Sequence, residues 1–568
     1  MIHVSNEKKQ FVLDQLSTGR LDRRKFFSIL GAAAATSIFG PSLNEALAAN
    51  ANQIERRTSL QAHYDYIVVG AGSAGSVLAA ELSKSGAQVL LVESGGPDDA
   101  PTIANPSIWF YNVGGPLDYH LPLEPLPQLN NRKFNMALGH VLGGGGSING
   151  MVWTRGMQRD YDGWEKSGAK GWAFVDVLPV FKSQEDWEGG ANSWRGAGGP
   201  IHIRRPGDPH PTAPAFVEAA REMGMPILDD VNGPMRAGAG FINMNIAADG
   251  TRVSAVRALL RPELARPNLT LLLNTNVVKL NFKGTRCVGV KLITEGVEKD
   301  IAASKDVVLT AGSIHTPKLL MLSGVGEAKA LQGLGIEIVE NLPGVGANLQ
   351  DHVLVSGVVF KYKGKMPKRP ADSDAVEAEA YLSSGSSGDT DINLVLEQLP
   401  AVTPEAAARF GAPPDDAFTI APALVQPTSR GSVRLASNRF QDAAVVNGNY
   451  LGTDQDFAAI VRAIEAAREL GNQHAFDGVR EIEVVPGPKA TSEDIRELAR
   501  LGSASFGHAV GTCKIGVDEL AVVDPKLRVH GLENLRVADA SVMPRIITGP
   551  TNAPTHMIAG RAAKFILS

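Results

Sequence analysis

A glycine pattern behind a short apolar run constrains the fold of this chain more than any other feature. The run from Tyr64 to Val69 is rich in β-branched residues and predicts a strand buried on both faces. Gly70-Ala71-Gly72-Ser73-Ala74-Gly75 follows directly, and apolar residues then recur at helical spacing up to Ser85. Val89 to Val92 predicts a second strand. The order strand, glycine loop, helix and strand predicts the β-α-β unit of a Rossmann-type dinucleotide-binding domain.

Each glycine of this loop has its own expected role. Gly70 permits the tight turn, Gly72 lets the backbone approach a pyrophosphate, and Gly75 lets the helix pack closely on the strand. The predicted diphosphate site at the start of the helix comprises Gly70, Gly72, Ser73, Ala74 and Gly75. Glu93, at the end of the second strand, is expected to accept hydrogen bonds from ribose hydroxyls. Because NAD and FAD both contain ADP, the motif predicts an ADP moiety but does not indicate whether the redox group is a nicotinamide or a flavin.

Composition excludes several other classes of protein. The length of 568 residues predicts three or four compact units or one large α/β body with insertions. Cys287 and Cys513 lie too far apart in sequence for a disulfide framework or a thiolate zinc site, so each is predicted to be a buried small side chain, and no metal site is predicted. A net charge of −5 argues against nucleic acid as a partner. No membrane span is predicted after the leader.

The first residues resemble an export signal. They are polar and basic up to an uncharged apolar run from Ile29 to Phe39. A span of a bilayer takes about 20 apolar residues, so this shorter run has the length of a signal-peptide core. Arg23 and Arg24 stand just before it and resemble a twin-arginine (Tat) signal. We predict a signal peptide at 1–48, cleavage after Ala48, and a protein that is periplasmic or secreted.

Further runs predict strands and connecting segments. The strand predictions are Leu269–Leu273, Val288–Ile293 and Asp306–Thr310. Residues 49–61 are predicted to form a polar joint before the first strand. Residues 363–391, with many polar and few large apolar side chains, are typical of a surface excursion that shapes a substrate entrance or of a disordered insertion without a role.

Two long motifs, Gly139 to Met151 and Gly312 to Gly326, resemble the signatures of the glucose–methanol–choline (GMC) oxidoreductases, which use FAD. Similar matches run in the family's order from about residue 64 to about residue 565. They are Gly250–Ser254, Leu342–His352, Ser429–Val433, His508–Cys513 and Val537–Pro544.

The resemblance implies a fold and a reaction. The fold is α/β, a Rossmann-type FAD-binding domain of the GMC fold with an interleaved α+β substrate-binding domain on an antiparallel sheet. The main part of the FAD-binding domain is expected at 62–350 and most of the substrate-binding domain at 351–500. Residues 501–568 are expected to return to the FAD domain, with the GMC C-terminal region at about 427–562. The implied activity is oxidation of the CH–OH group of a small-molecule alcohol.

The resemblance also implies which residues hold the flavin. Glycines 143–146 leave the main chain free to lie against a flat ring or a pyrophosphate, and Asn149 is placed to hydrogen-bond the flavin edge. Val277 matches a valine beside the adenine, and Asp539 and Ala540 match residues that approach the flavin from the opposite side. The cofactor residues predicted outside the first motif are Glu93, Gly143, Gly144, Asn149, Gly150, Val277, Asp539, Ala540, Asn552 and Thr555.

His508 is the predicted catalytic residue. Transfer of a hydride from an alcohol carbon to flavin N5 leaves a hydroxyl proton, and an imidazole with an ordinary pKa near 6.5 suits its removal at neutral pH. His508 begins the pattern H-x-V-G-T-C, which resembles the loop of the family's catalytic histidine. His315, His352, His530 and His556 do not match that position and are predicted to be structural.

Two departures from the family pattern affect the prediction. Pro550 stands where most members have a second histidine or an asparagine that hydrogen-bonds the substrate oxygen. Three alternatives follow: His508 acts alone, another side chain supplies the second hydrogen bond, or a local shift brings Asn552 toward the substrate. Relatives that oxidise a hydroxymethyl group on an aromatic ring are similar at the position of Pro550, which favours an aromatic primary alcohol as the substrate. His140 replaces a usual arginine or lysine, while members with histidyl-linked flavin carry that histidine where this chain has Leu138. We therefore expect noncovalent FAD, with His140 as the alternative attachment point.

The sequence is compatible with several oxidants and substrates. The oxidant is oxygen, a quinone or a cytochrome, and a choline-type or sugar-type dehydrogenase is an alternative to an aromatic alcohol oxidase. A lyase or photoenzyme would use the flavin differently, which the retained His508 disfavours. The chain could also be a flavin-binding subunit of a larger complex, and activity of the isolated chain on alcohols would separate these readings.

Overall fold

The computed structural model describes residues 41–234, 237–370, 372–385 and 389–568, preceded by the separate positions Val12, Leu13, Gln15, Leu16 and Phe26. The arginine pair Arg23 and Arg24 and the apolar run from Ile29 to Phe39 lie outside the described residues. Among the helices that these residues form, none combines the length and the apolar character needed to cross a membrane.

The first sheet has a parallel core. The strand His63–Val69 pairs in parallel with Val89–Val92 on one side and with Val297–Leu309 on the other. The edge strand Leu269–Leu272 extends this parallel core beyond Val89–Val92. The remaining strands of the sheet are the antiparallel pair Arg286–Thr294 and Thr275–Lys283, and Leu535–Val537, which pairs in parallel with Val297–Leu309.

The β-α-β unit predicted from the glycine pattern is present at the centre of this sheet. Val68 and Leu90 are fully buried, as expected for strands covered on both faces. The helix Ser73–Lys84 follows the first strand and packs against the C-terminal helix Asn552–Leu567. Residues more than 450 positions apart in sequence thereby meet beside the glycine loop.

The second sheet is antiparallel throughout. The helices Thr212–Glu222 and Asp454–Gly471 pack against it. Its strands lie in the order Arg480–Val485, Val359–Tyr362, Ala417–Leu424, Ile392–Glu397, Val376–Leu382 and Gly238–Phe241, with Val353–Val355 joining Ala417–Leu424 to Ser503–Ser505.

Shorter elements connect the two sheets. The helices are Pro101–Ala104, Gln158–Lys166, Phe174–Gln184, Gly312–Leu322, Ala328–Gly333, Pro404–Phe410 and Ser492–Gly502. The two-stranded pairs are Leu121–Pro122 with Asn135–Met136, Glu185–Trp187 with Ile201–Ile203, Val325–Gly326 with Glu340–Asn341, and Ser432–Arg434 with Val445–Asn447. Cys287 and Cys513 are both free and fully buried, which confirms the prediction for these thiols.

The prediction of a polar joint at residues 49–61 is wrong for most of its length. A helix runs over Pro41–Thr58 and docks on the first sheet. The side-chain amide of Gln53 donates to the carbonyls of Leu264 and Leu269 at 2.9 Å and accepts from the backbone N–H of Leu271 at 2.9 Å. This amide occupies the place of a neighbouring strand at the sheet edge, so a polar residue carries a structural contact there.

The prediction of a surface excursion at residues 363–391 is also wrong in part. The strand Val376–Leu382 falls within it and lies inside the second sheet. Its glutamates are buried because the fold supplies partners for them. Glu377 accepts hydrogen bonds from Ser373, Gln398 and the backbone N–H of His210. Charged residues that look solvent-exposed in the sequence are therefore acceptors within the core.

Candidate active site

A cavity of about 760 Å³ lies between the two sheets and is lined by both of them and by the C-terminal segment. Gly75 and Gly143 do not line it, and they instead allow close packing between the segments that do. The predicted site residues that line it are Gly70, Gly72, Ser73, Ala74, Glu93, Gly144, Asn149, Gly150, Val277, His508, Asp539, Ala540, Pro550, Asn552 and Thr555.

The first glycine loop has the geometry that its sequence predicts. Gly70 has a φ of +101°, and a Cβ there would lie 2.7 Å from the carbonyl oxygen of Thr310. A Cβ on Gly75 would lie 1.9 Å from the carbonyl oxygen of Gly70. The following helix has no side-chain cap at Gly72, so its first backbone N–H groups face the cavity without a partner from that residue. This arrangement suits an anionic diphosphate.

A second glycine loop lies directly against the first. The backbone N–H of Gly143 donates to the carbonyl of Ala71 at 2.7 Å, which joins the two loops. Gly144 has a φ of +52°, and a Cβ on it would lie 3.1 Å from the Cα of Gly72. The two loops thus form a cradle of bare main chain, and its close approach requires glycine.

Glu93 and Val277 mark one end of the cavity. One carboxylate oxygen of Glu93 accepts from the backbone N–H of Ala71 at 2.8 Å, and the other accepts from that of Gly95 at 2.7 Å. Burial raises the pKa of Glu93. The oxygen that accepts from Gly95 also accepts from the Ser94 hydroxyl at 3.3 Å, so the other oxygen keeps a lone pair for a ribose hydroxyl. The carbonyl of Glu93 accepts from the N–H of Thr275, which brings the strand of Val277 to the same end.

Asn149 is oriented by a residue that sequence reasoning missed. Its side-chain oxygen accepts from Arg252 at 2.5 Å and from the backbone N–H of Met151 at 3.1 Å. The amide nitrogen of Asn149 is therefore the group left to donate to a ligand in the cavity. Arg252 lies in the motif Gly250–Ser254, so the resemblance marked the segment without indicating this contact.

The C-terminal segment closes the opposite side of the cavity. Asp539 uses both carboxylate oxygens within the protein, where they accept from Gly312 N–H, Thr316 and Ser541. Its side chain therefore fixes the loop, and the backbone around Ala540 is left to face a ligand. The side-chain oxygen of Asn552 accepts from the hydroxyl of Ser73 at 2.7 Å, which directs this amide toward the glycine cradle.

His508 is held by a second histidine, which the sequence prediction treated as structural only. The Nδ1 atoms of His352 and His508 lie 2.9 Å apart, and Nε2 of His352 lies 3.0 Å from the carbonyl oxygen of Ile547. A carbonyl only accepts, so Nε2 of neutral His352 carries the proton and its Nδ1 accepts. His508 then donates from Nδ1, and its Nε2 keeps a free lone pair.

Electrostatics keep this pair neutral. Burial, with a smaller contribution from His352, holds the pKa of His508 well below its usual range. Burial lowers the pKa of His352 to about 4. An unprotonated His508 at neutral pH can accept a proton.

Asp351 anchors the loop that carries His508. One of its oxygens accepts from the backbone N–H of His508 at 2.8 Å, and the other accepts from Tyr450 at 2.7 Å and Ser505 at 2.5 Å. Burial raises the pKa of Asp351 to about 6 despite these bonds. The carboxylate therefore fixes the position of the imidazole without touching its ring.

The predicted attachment alternative, His140, does not line the cavity, whereas Leu138 does. The imidazole of His140 stacks on Tyr119 with ring centroids 4.1 Å apart. His315 does line the cavity, packs on the same tyrosine, and has its pKa lowered to about 4 by burial. Within the described residues, no group of three or more His, Cys, Asp or Glu side chains is arranged to hold a metal ion.

The antiparallel sheet supplies a wall of the cavity that sequence reasoning missed. We call it the sheet wall, and it consists of Leu354, Val376, Glu379, Asn393, Val395 and Glu397. Asn393, Val395 and Glu397 alternate along one strand and so share a face. No motif marks these residues, because only the pairing of distant strands brings them together.

Taken together, the first sheet with its parallel core, the double glycine cradle and the half-buried His508 define a dinucleotide-dependent oxidoreductase. The GMC oxidoreductase family profiles match residues 64–354 and 427–559. The chain belongs to this family and has its fold, as the motifs predict. It is an FAD-dependent oxidoreductase that acts on CH–OH donors.

Individual relatives are similar over nearly the whole chain. An oxygen-dependent choline dehydrogenase from Brucella anthropi is 37% identical over 531 residues, which cover 89% of this chain and 95% of that protein. The mitochondrial choline dehydrogenase of Mus musculus is 35% identical, and the match covers 89% of each chain. The crystal structure of pyridoxine 4-oxidase from Mesorbium loti is 33% identical, with a TM-score of 0.84, covering 88% of this chain and 98% of that one.

Proposed function

We propose that this protein oxidises a primary alcohol to an aldehyde and that Nε2 of His508 takes the hydroxyl proton. The hydrogen bond between His352 and His508 carries the proposal, because it leaves a neutral imidazole with a free lone pair beside the cavity. FAD held in the cradle would supply the hydride acceptor, and oxygen or another electron acceptor would serve as the final oxidant.

The cradle fits the flavin cofactor. Glycines 70, 72 and 144 bring bare main chain to the cavity, and the uncapped helix at Ser73 suits the diphosphate. Glu93 is placed for the ribose and the amide nitrogen of Asn149 for the ring edge. None of these groups is a histidine, cysteine or tyrosine, and His140 does not line the cavity but stacks on Tyr119. We therefore propose that the flavin is bound noncovalently.

The substrate proposed is a compact hydroxymethyl compound on an aromatic ring. Pro550 lines the cavity and offers no polar side chain, while Asn552 is engaged with Ser73. A second hydroxyl group placed against Pro550 would find no side-chain partner there and would stay unpaired at a cost of about 1–3 kcal/mol, whereas an aromatic alcohol carries no such group at that position. Phe506 beside His508 supplies an apolar surface, and the similarity to a pyridoxine 4-oxidase supports this choice.

Anaerobic bleaching of the flavin tests the proposal. Benzyl alcohol, a pyridylmethanol, glucose and choline are mixed separately with the oxidised protein, and the flavin absorbance is followed. The proposal predicts the fastest bleaching with the aromatic alcohols. Bleaching by none of the four would contradict the proposed function, and faster bleaching by glucose or choline would contradict the aromatic substrate alone. Choline is the second candidate, because two of the relatives are choline dehydrogenases.

We also propose export through the twin-arginine route, on the sequence pattern alone. Cleavage after Ala48, which is exposed, would leave Gln53 in its place at the sheet edge. Changing Arg23 and Arg24 to lysine should keep the precursor in the cytoplasm with its flavin bound. Arrival of the doubly substituted protein in the periplasm would contradict the proposal.

A further inference from the structure

The sheet wall presents hydrogen-bond acceptors to the cavity. Asn393 donates from its amide nitrogen to Glu379 and to the carbonyl of Ala380, both at 3.3 Å, so its amide oxygen is the atom left for a ligand. The other polar members of the wall are the carboxyl groups of Glu379 and Glu397. The wall contains no arginine, lysine or histidine.

A break in strand pairing places the two glutamates on one wall. Val376 pairs with Glu397, but the register shifts before Ala378 pairs with Leu396. The shift lets both Val376 and Glu379 line the cavity although they are three residues apart. Bulges of this kind re-aim side chains in sheets.

Glu397 differs from Glu379, the other acidic residue of this wall, which accepts a hydrogen bond from Asn393. The Glu397 carboxyl group makes no hydrogen bond or ion pair with any residue in the described part of the chain. Burial raises its pKa to about 7. Glu397 is half-buried and its side chain lines the cavity, so a cationic group of a ligand there would supply the missing partner and favour the charged form of the carboxyl group.

We propose that Glu397 is a specificity-determining residue that binds a positively charged nitrogen on the alcohol substrate. The inference rests on the proposed function and narrows its substrate class to primary alcohols that carry an ammonium or a protonated ring nitrogen. His508 takes the hydroxyl proton from one end of such a molecule, and Glu397 recognises the charged nitrogen. Glu379 and Asn393 add further acceptors on the same wall.

A matched pair of substrates tests this assignment. The 3- and 4-(aminomethyl)benzyl alcohols carry an ammonium at neutral pH, and the corresponding ethylbenzyl alcohols have nearly the same shape without charge. We compare kcat/KM for each pair in the wild-type protein, in Glu397→Gln and in the control Glu481→Gln. Glu481 lies on the same sheet, is exposed, and pairs with Lys361 at the surface. The wild-type preference for at least one ammonium substrate should exceed about tenfold. It should be lost in Glu397→Gln and kept in Glu481→Gln.

A binding measurement separates this inference from the proposed function. 4-Methylbenzylamine has no hydroxyl to oxidise, and its Kd is read from the perturbed spectrum of oxidised flavin. The Kd should rise about tenfold or more in Glu397→Gln and stay level in Glu481→Gln. If no alcohol bleaches the flavin but this difference in Kd is found, the inference stands and the proposed oxidation fails. Equal preference for charged and neutral alcohols in the wild type, or a preference that survives in Glu397→Gln, would overturn the inference.

Discussion

His352 and His508 form a hydrogen-bonded pair whose Nδ1 atoms lie 2.9 Å apart, and the other nitrogen of His352 lies 3.0 Å from the carbonyl oxygen of Ile547. The carbonyl fixes which nitrogen of His352 is protonated, and His352 in turn fixes which nitrogen of His508 is free. His352 is thus a positioning residue, whereas His508 lies where it can reach the reacting hydroxyl.

Replacing His352 should slow the reaction without removing the flavin. His352→Leu leaves the Nδ1–H of His508 unpaired and should slow flavin reduction about 10- to 100-fold, or about 1.4–2.8 kcal/mol of barrier. His352→Gln keeps one acceptor and one donor and should recover part of the rate. The control is His530→Leu, since His530 also bonds a carbonyl, that of Gly516 at 3.2 Å, but does not line the cavity. Equal rates in His352→Leu and the control would contradict the positioning role.

The pH dependence of flavin reduction should have its acid limb below pH 6.5. Only neutral His508 accepts a proton, and its lowered pKa keeps it neutral to lower pH than an ordinary histidine. Asp351, with a pKa of about 6, would lose acceptor capacity for the His508 loop as it becomes protonated. The limiting rate constant should therefore stay level from about pH 9 to about pH 6.5 and fall below that. Anaerobic stopped-flow measures it, and an acid limb above pH 7 would contradict the assignment.

The glycine cradle should not tolerate a side chain at Gly75. Gly75→Ala places a methyl group 1.9 Å from the carbonyl oxygen of Gly70, so the helix must move away from the loop. We expect the purified variant to lose most of its flavin absorbance and to have a lower Tm. Gly163→Ala is the matched control, because nothing lies within 4 Å of a Cβ at that helical position. Full flavin content in Gly75→Ala would show that the helix and the loop can separate enough for a methyl group without loss of flavin binding.

The flavin should leave the polypeptide on denaturation. Acid precipitation of the purified protein is expected to give a yellow supernatant, because Leu138 and not His140 faces the cavity. His140→Ala should behave in the same way. A yellow precipitate from the wild-type protein and a colourless one from His140→Ala would instead identify His140 as the attachment point.

Local sequence patterns predict the parts of the fold that depend on contacts between residues close in sequence. Gly70 and Gly75 are needed by a turn and a close contact between neighbouring segments, so a six-residue motif indicates them. The end of the first strand, Tyr66 to Val69, is apolar and buried on both faces, and the apolar run predicts it for the same reason.

The parts that sequence reasoning missed depend on distant contacts. His352 meets His508 across 156 positions, and no spacing rule connects them. The polar stretch around Glu377 and Glu379 indicated a surface loop, because the sequence does not show that their carboxyl groups find partners in the core. Asn552 was predicted near the cofactor or the substrate, and its bond to Ser73 favours the cofactor side.

The central claim is that His508 takes the proton, and anaerobic stopped-flow reduction of the flavin in His508→Ala tests it most directly. The variant should retain the oxidised flavin spectrum while flavin reduction by its best alcohol slows about 10²–10⁴-fold, the usual contribution of a positioned base. This measurement does not depend on the natural oxidant. A loss of less than about tenfold, or about 1.4 kcal/mol of barrier, would show that another residue takes the proton.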